Sequence, residues 1–238
     1  MSVRSILFVG LLTTYVASTA HAIAVPTFEG FDTGSADWRG GPSTAVIPTW
    51  VASGGVEGGY VTTTQPIISS AQPVVFRAQV NAADPNGPVN SSNGAFAGDW
   101  LTANADRVKL YVRHNASEAL TFLIRLAPIA NTPGVQVQTS VPIPAGTSWV
   151  PLEFDLTYGN PLLSVGAQPP LEPKYLTTMA TVTNFQVAVL RPANFTNSAS
   201  FTFDLDSVSV VPEPASALLL VGSLIGCTMG LRIRRRNA

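Results

Sequence analysis

Between Val25 and Val211 the apolar residues of this chain recur every second position, not every third or fourth. In 108–112 the apolar Val108, Leu110 and Val112 alternate with Lys109 and Tyr111. In 201–205, Phe201, Phe203 and Leu205 alternate with Thr202 and Asp204. A strand sends successive side chains to opposite faces, so this period is that of antiparallel sheets buried on one face. The runs Gly59–Thr64, Pro73–Val80, Arg107–Arg113, Ala119–Leu126, Val135–Pro142, Val150–Leu156, Asn184–Leu190 and Ser200–Val210 read as strands, separated by Gly, Pro, Asn and Asp clusters. The expected fold is all-β, an antiparallel β-sandwich. One short helix is expected within Lys174–Thr183, although its threonines and valine are poor helix formers. Asn81–Asp99 and Tyr158–Pro173 read as long loops.

The two ends follow other rules. Arg4, the apolar run Ile6–Val16 and the small residues up to Ala22 have the form of a secretory signal peptide, residues 1–22, cleaved after Ala22. At the other end Val211-Pro212-Glu213-Pro214 precedes the uncharged stretch Ala215–Leu231, which as a helix measures about 26 Å, at the lower limit for crossing a bilayer. Arg232, Arg234, Arg235 and Arg236 follow and place the C-terminus in the cytoplasm by the positive-inside rule. The expected organisation is thus a signal peptide, a sandwich over residues 23–210, and a tail over 211–238 with a transmembrane helix at 215–231 and a basic end at 232–238. Both ends contribute to the chain's positive mean hydropathy, so that value is no sign of a protein embedded in a membrane throughout.

The exported part excludes several chemistries. From Ile23 to Val211 it has thirteen acidic residues against eight Lys and Arg, so nucleic-acid binding has no electrostatic support. The chain's one cysteine, Cys227, lies in the apolar tail, which leaves the exported domain without a disulfide or thiolate site. Its one histidine, His114, has no G-x-S-x-G elbow beside it and reads as a structural residue at a strand end.

Pro212-Glu213-Pro214, the apolar helix and the arginine-rich end together resemble the PEP-CTERM sorting domain. The resemblance implies export across the inner membrane of a Gram-negative, exopolysaccharide-making bacterium. It also implies transient anchoring there and removal of the tail by an exosortase, a membrane protease-transpeptidase. Two prolines around Glu213 keep that segment extended, as a protease groove requires. A second resemblance covers most of 27–210. Phe28-Glu29-Gly30-Phe31-Asp32, Trp38, Pro48-Thr49-Trp50, Gly98-Asp99-Trp100, Trp149 and the closing Asp204-Leu205-Asp206-Ser207-Val208 are similar to laminin-B-like and carbohydrate-binding-module-like jelly rolls. It implies two packed sheets and a non-catalytic module.

Such modules often hold a structural calcium between an early acid and the closing Asp-x-Val, which maps onto Glu29 and Asp206 with Asp32 or Asp204 nearby. Carboxylates are the hard oxygen donors calcium takes. Trp38 and Trp100, in Gly-rich loops beside Asp37 and Asp99, are the expected sugar-stacking residues; Trp149, heading an alternating strand, is expected in the core. Glu153-Phe154-Asp155 resembles the start of a jelly-roll glycanase strand, but Tyr158 stands where the second glutamate is needed. The expected function is therefore an exported surface or extracellular-matrix protein, binding or structural, associated with exopolysaccharide. The alternative is a secreted jelly-roll glycan hydrolase or lyase.

Overall fold

A computed structural model describes residues 21–41, 43–67, 72–166, 171–193, 195–196 and 198–212. The signal-peptide reading up to residue 20 lies outside the described residues, and so do Glu213, Pro214, the stretch 215–231 and the arginines of 232–238. Among the described residues no helix is long and apolar enough to cross a membrane.

In chain order the strands are β1 (Thr27–Glu29), β2 (Arg39–Gly40), β3 (Thr49–Val51), β4 (Tyr60–Pro66), β5 (Val74–Asn81), β6 (Val89–Asn90), β7 (Ala105–His114), β8 (Thr121–Ala127), β9 (Val135–Gln138), β10 (Val150–Asp155), β11 (Leu163–Val165), β12 (Asn184–Leu190) and β13 (Ser200–Pro212), with one helix, α1 (Leu171–Met179). They form two antiparallel sheets. The six-stranded sheet runs β10-β7-β13-β4-β3, with β1 also paired to β13. The seven-stranded sheet runs β11-β9-β8-β12-β5-β2, with β6 also paired to β5. The alternation expected in the sequence is what packs them. Val108, Leu110, Val112, Phe154, Phe203 and Leu205 from one sheet share a core with Phe76, Phe122, Ile124, Leu126, Phe185, Val187 and Val189 from the other. Each large apolar side chain so buried contributes about 1.5–3 kcal/mol.

The eight expected strands are all present. The differences lie in short elements. β1, β2, β3, β6 and β11 are two or three residues long, too short to display a period. β6 and a turn at Ser91–Gly94 fall within the expected loop 81–99, and β11 within 158–173. The helix starts earlier than expected, at Leu171, because Pro173 in its first turn has no backbone N–H to lose. It ends before Val182, which bridges to Gly98 instead. β13 runs past the expected boundary at 210. Pro212 is its last residue, opposite Ala105, so the sandwich includes the first proline of the expected Pro212-Glu213-Pro214 motif.

His114 is 2 % exposed and stacks beside Phe203 and Phe122. Its Nδ1 accepts the Ala116 N–H at 3.2 Å, which leaves Nε2–H to donate to the Ile143 carbonyl at 2.9 Å. Burial holds the ring below the ordinary histidine range, so it is a neutral structural residue.

Candidate functional site: the outer face of the seven-stranded sheet

Strand pairing assembles a feature that is dispersed in the sequence. Arg39 lies opposite Arg77, Arg77 opposite Gln186, Gln186 opposite Arg125, Arg125 opposite Gln136, and Gln136 opposite Ser164. One polar row therefore crosses β2, β5, β12, β8, β9 and β11. The core residues Phe76, Ala78, Phe185, Val187, Ile124, Leu126, Val135 and Val137 flank its members in sequence and point inward, so the row lies on the outer side of the sheet, where Arg77, Arg125 and Gln136 are partly exposed and Ser164 is exposed, while Arg39 and Gln186 are buried under covering chain.

Arginines directly opposite one another repel, and such pairs destabilise a sheet. Two of the three have an acid at hand. Arg39 pairs with Asp37 at 3.1 Å, and Asp84 acts on Arg77. Arg77 is nevertheless pushed below the ordinary guanidinium range, chiefly by burial and further by Arg125. Arg125 is pushed down by burial as well. Its Nη1 donates to Asn131 Oδ1 at 2.5 Å and its Nη2 to the Asn131 carbonyl. The same Oδ1 accepts from Asn184 Nδ2 and Gln186 Nε2, each at 3.2 Å. Asn131 sits in the left-handed region at φ 60°, which asparagine tolerates well, and so folds the 128–134 turn over the row. Gly134 completes the arrangement: a Cβ there would lie 2.5 Å from Arg125 Nη2. At this end of the row Arg125, Gln136, Ser164, Thr132 and Lys174 line a cavity of about 630 Å³, within the usual size range of ligand sites.

The tryptophans expected to stack on sugar do not reach this or any surface. Trp38 and Trp100 are both 0 % exposed. Gly-rich loops allow them to fold back into one end of the sandwich, where Trp38 packs edge-on against Phe31, Phe96 and Phe185 and Trp100 stacks on Phe185. Trp149, expected in the core, is only half-buried. Its Nε1–H donates to the Gly54 carbonyl at 2.9 Å, and the Arg113 guanidinium lies 4.4 Å from its ring and 4.7 Å from that of Tyr60. With Asp204 bonded to Arg113 Nε at 2.5 Å, this cluster ties the 52–59 hairpin loop to β7 and β13. The Arg113 guanidinium thus takes one face of each ring, and the two rings meet edge-on at 5.4 Å.

The expected calcium ligands do not converge. Among the described residues there is no group of three or more His, Cys, Asp or Glu placed to hold a metal. Glu29 Oε1 accepts the Phe31 N–H at 2.9 Å, and Oε2 accepts the Ser92 hydroxyl at 2.7 Å. Asp206 is 0 % exposed, with Oδ2 taking the Val56 N–H at 2.5 Å and Oδ1 the Ser207 N–H at 2.6 Å. Burial pushes the Asp206 carboxyl up, against the pull of those N–H groups. Asp32 lies beside Gly58 in the same hairpin loop. The Asp206 oxygens are thus engaged by backbone N–H groups, and those of Glu29 by an N–H and a hydroxyl.

Glu153 and Asp155 share the outer face of β10, as alternation requires. Glu153 pairs with Arg107 at 2.5 Å and Lys109 at 3.4 Å. The Arg107 hydrogen bond above all holds its carboxyl below the usual range, the reverse of what a general acid needs.

No family model and no curated protein matches this sequence. Among solved structures the chain is similar to the family 11 carbohydrate-binding module of a cellulosomal cellulase of Clostridium thermocellum, at 12 % identity and TM-score 0.45, over 81 % of this chain and 97 % of that one. It is also similar to the L4b domain of human laminin α-2, at 12 % identity and TM-score 0.40, over 79 % and 98 %. An exo-β-agarase matches at 8 % identity and TM-score 0.44, over 77 % of this chain and 24 % of that one. The chemistry of the polar row is read from this chain's own residues.

Proposed function

We propose that this protein is an exported, non-catalytic glycan-binding module whose ligand face is the outer face of the seven-stranded sheet. The observation that carries the reading is the accessible end of the polar row, where Arg125, Gln136 and Ser164 stand on three adjacent strands and line a ligand-sized cavity. A sugar chain presents hydroxyls at intervals along its length. The guanidinium, amide and hydroxyl of Arg125, Gln136 and Ser164, one on each of β8, β9 and β11 and about 4.8 Å apart, offer donors and acceptors at matching intervals. The strands hold them rigidly, which reduces the ordering cost of binding. The row lacks the paired carboxylates that glycoside hydrolysis uses.

Gln136 and Ser164 are the members to test, because neither is buried and neither serves a core contact. The double variant Gln136→Ala/Ser164→Ala is expected to weaken retention on a polysaccharide panel several-fold while leaving the melting temperature within a few degrees. Reducing-end release by the parent chain without retention would favour the hydrolase or lyase reading instead. Retention by the double variant equal to the parent's would remove this face.

The export reading accompanies it. Residues 1–22 direct secretion. Pro212-Glu213-Pro214, the 215–231 stretch and Arg232, Arg234, Arg235 and Arg236 form a PEP-CTERM tail cut by an exosortase-like protease at the inner membrane, delivering the sandwich to the cell surface or matrix and its exopolysaccharide. Mass spectrometry of the protein recovered from the cell surface is expected to give a C-terminus lacking Arg232–Ala238. A mature chain ending at Ala238 would refute the sorting assignment.

A further inference from the structure

The exported domain carries more acid than base, thirteen residues to eight. One end of its polar face departs from that average. The cavity beside β8, β9 and β11 is lined by the cations Arg125 and Lys174 and by no carboxylate among the described residues. Its other polar walls, Thr132, Gln136 and Ser164, are neutral.

Arg125 is the residue that singles out this cavity. Its hydrogen-bond partners are the side-chain and backbone oxygens of Asn131, both uncharged. Among the described residues no carboxylate lies within ion-pair distance of it, whereas Arg39, Arg107, Lys109 and Arg113 each have one. A partly buried charge without an opposite charge is costly, and here the neighbouring Arg77 adds repulsion. The local backbone is nonetheless shaped to seat it. Gly134 is without the Cβ that would displace the guanidinium, and Asn131 grips it from the turn above. A guanidinium has five N–H donors in a fixed fork that matches a carboxylate or sulfate. Helix α1, packed against β8, β9 and β11, brings the Lys174 side chain to the same cavity.

We infer that this cavity receives the negatively charged substituent of an acidic glycan, a carboxylate or a sulfate ester, with Arg125 as its principal partner and Lys174 as the second cation. The assignment rests on the glycan-binding reading of the polar face and names the class of glycan. The sugar ring bearing the charge lies against Gln136 and Ser164.

The test uses the full chain in neutral detergent and two matched polymer pairs in affinity gels: polygalacturonate with its carboxyl-reduced form, and dextran sulfate with dextran. The charged member of at least one pair is expected to be retained about tenfold more strongly than its neutral partner, the effect of one charge-assisted hydrogen-bonded pair. Gain within the first pair identifies a carboxylate, and gain within the second a sulfate. Arg125→Gln is expected to abolish the gain and Lys174→Gln to reduce it. A melting curve establishes that each variant is folded; if Arg125→Gln is not, the effect of Lys174→Gln decides. Equal retention of charged and neutral polymers by the parent overturns the inference and leaves the glycan face standing. A gain that survives in the folded variants also overturns it, since any polyanion effect is then diffuse. Retention of no polymer overturns both readings.

Discussion

Phe203→Asp is expected to abolish cooperative unfolding altogether. Phe203 is 0 % exposed, in the first half of β13, which pairs with both β4 and β7 at the centre of the six-stranded sheet. Its strand neighbours are Thr63 and His114, and the His114 ring stacks over it with centroids 6.2 Å apart. Removing the phenyl group alone costs about 3–5 kcal/mol. The aspartate adds a buried polar or charged group, and the cation best placed to answer it by sequence, Arg113, already pairs with Asp204. Together these exceed what remains of a total stability of about 5–15 kcal/mol. Ser200→Asp, exposed at the start of the same strand, is expected to change stability by about 0.5 kcal/mol or less. Urea or thermal melts followed by circular dichroism separate the two. A normal transition for Phe203→Asp would refute the assignment of β13 to the core.

That residue could be chosen from the sequence because strand period is a local property. Phe201, Phe203 and Leu205 announce their shared face within five residues, whatever the rest of the chain does. The polar row is different. Its six members come from six strands spread between Arg39 and Gln186, and only the pairing order places them side by side. Each does leave a trace. Arg77 stands between Phe76 and Ala78, Arg125 between Ile124 and Leu126, and Gln186 between Phe185 and Val187. A long polar side chain repeatedly set at the outward position of an otherwise apolar strand marks a sheet face that does more than meet solvent. The loop tryptophans differ for the opposite reason. Glycines and neighbouring aspartates are signs of exposure, but the same glycines let the chain fold back and bury the rings. Glu29 and Asp206 match the chain positions of cation ligands; in the fold their oxygens accept hydrogen bonds from the loops that cross the end of the sandwich.

Trp38→Ala probes a structure that joins Trp38 to Glu29. The indole is wholly buried, with edge-on ring contacts at 5.5 Å to Phe31, 5.6 Å to Phe96 and 5.8 Å to Phe185. Its Nε1–H donates to Ser92 Oγ at 2.8 Å, Ser92 donates to Glu29 Oε2 at 2.7 Å, and Glu29 Oε1 accepts the Phe31 N–H at 2.9 Å. The expected sugar-stacking residue and the expected calcium ligand thus meet in one hydrogen-bonded chain joining β1, the 30–38 loop and the 91–94 turn. Truncating the indole opens a cavity at the junction, at a cost of about 3–5 kcal/mol, and strips Ser92 of its donor partner. The melting temperature is expected to fall by about 10 °C or more. Glycan retention per folded molecule is expected to stay at the parent value, because the row and its cavity lie on the outer face of the seven-stranded sheet and Trp38 faces the interior. Retention measured well below the variant's own transition decides the point. Lost retention with an unchanged melting temperature would return Trp38 to the ligand surface.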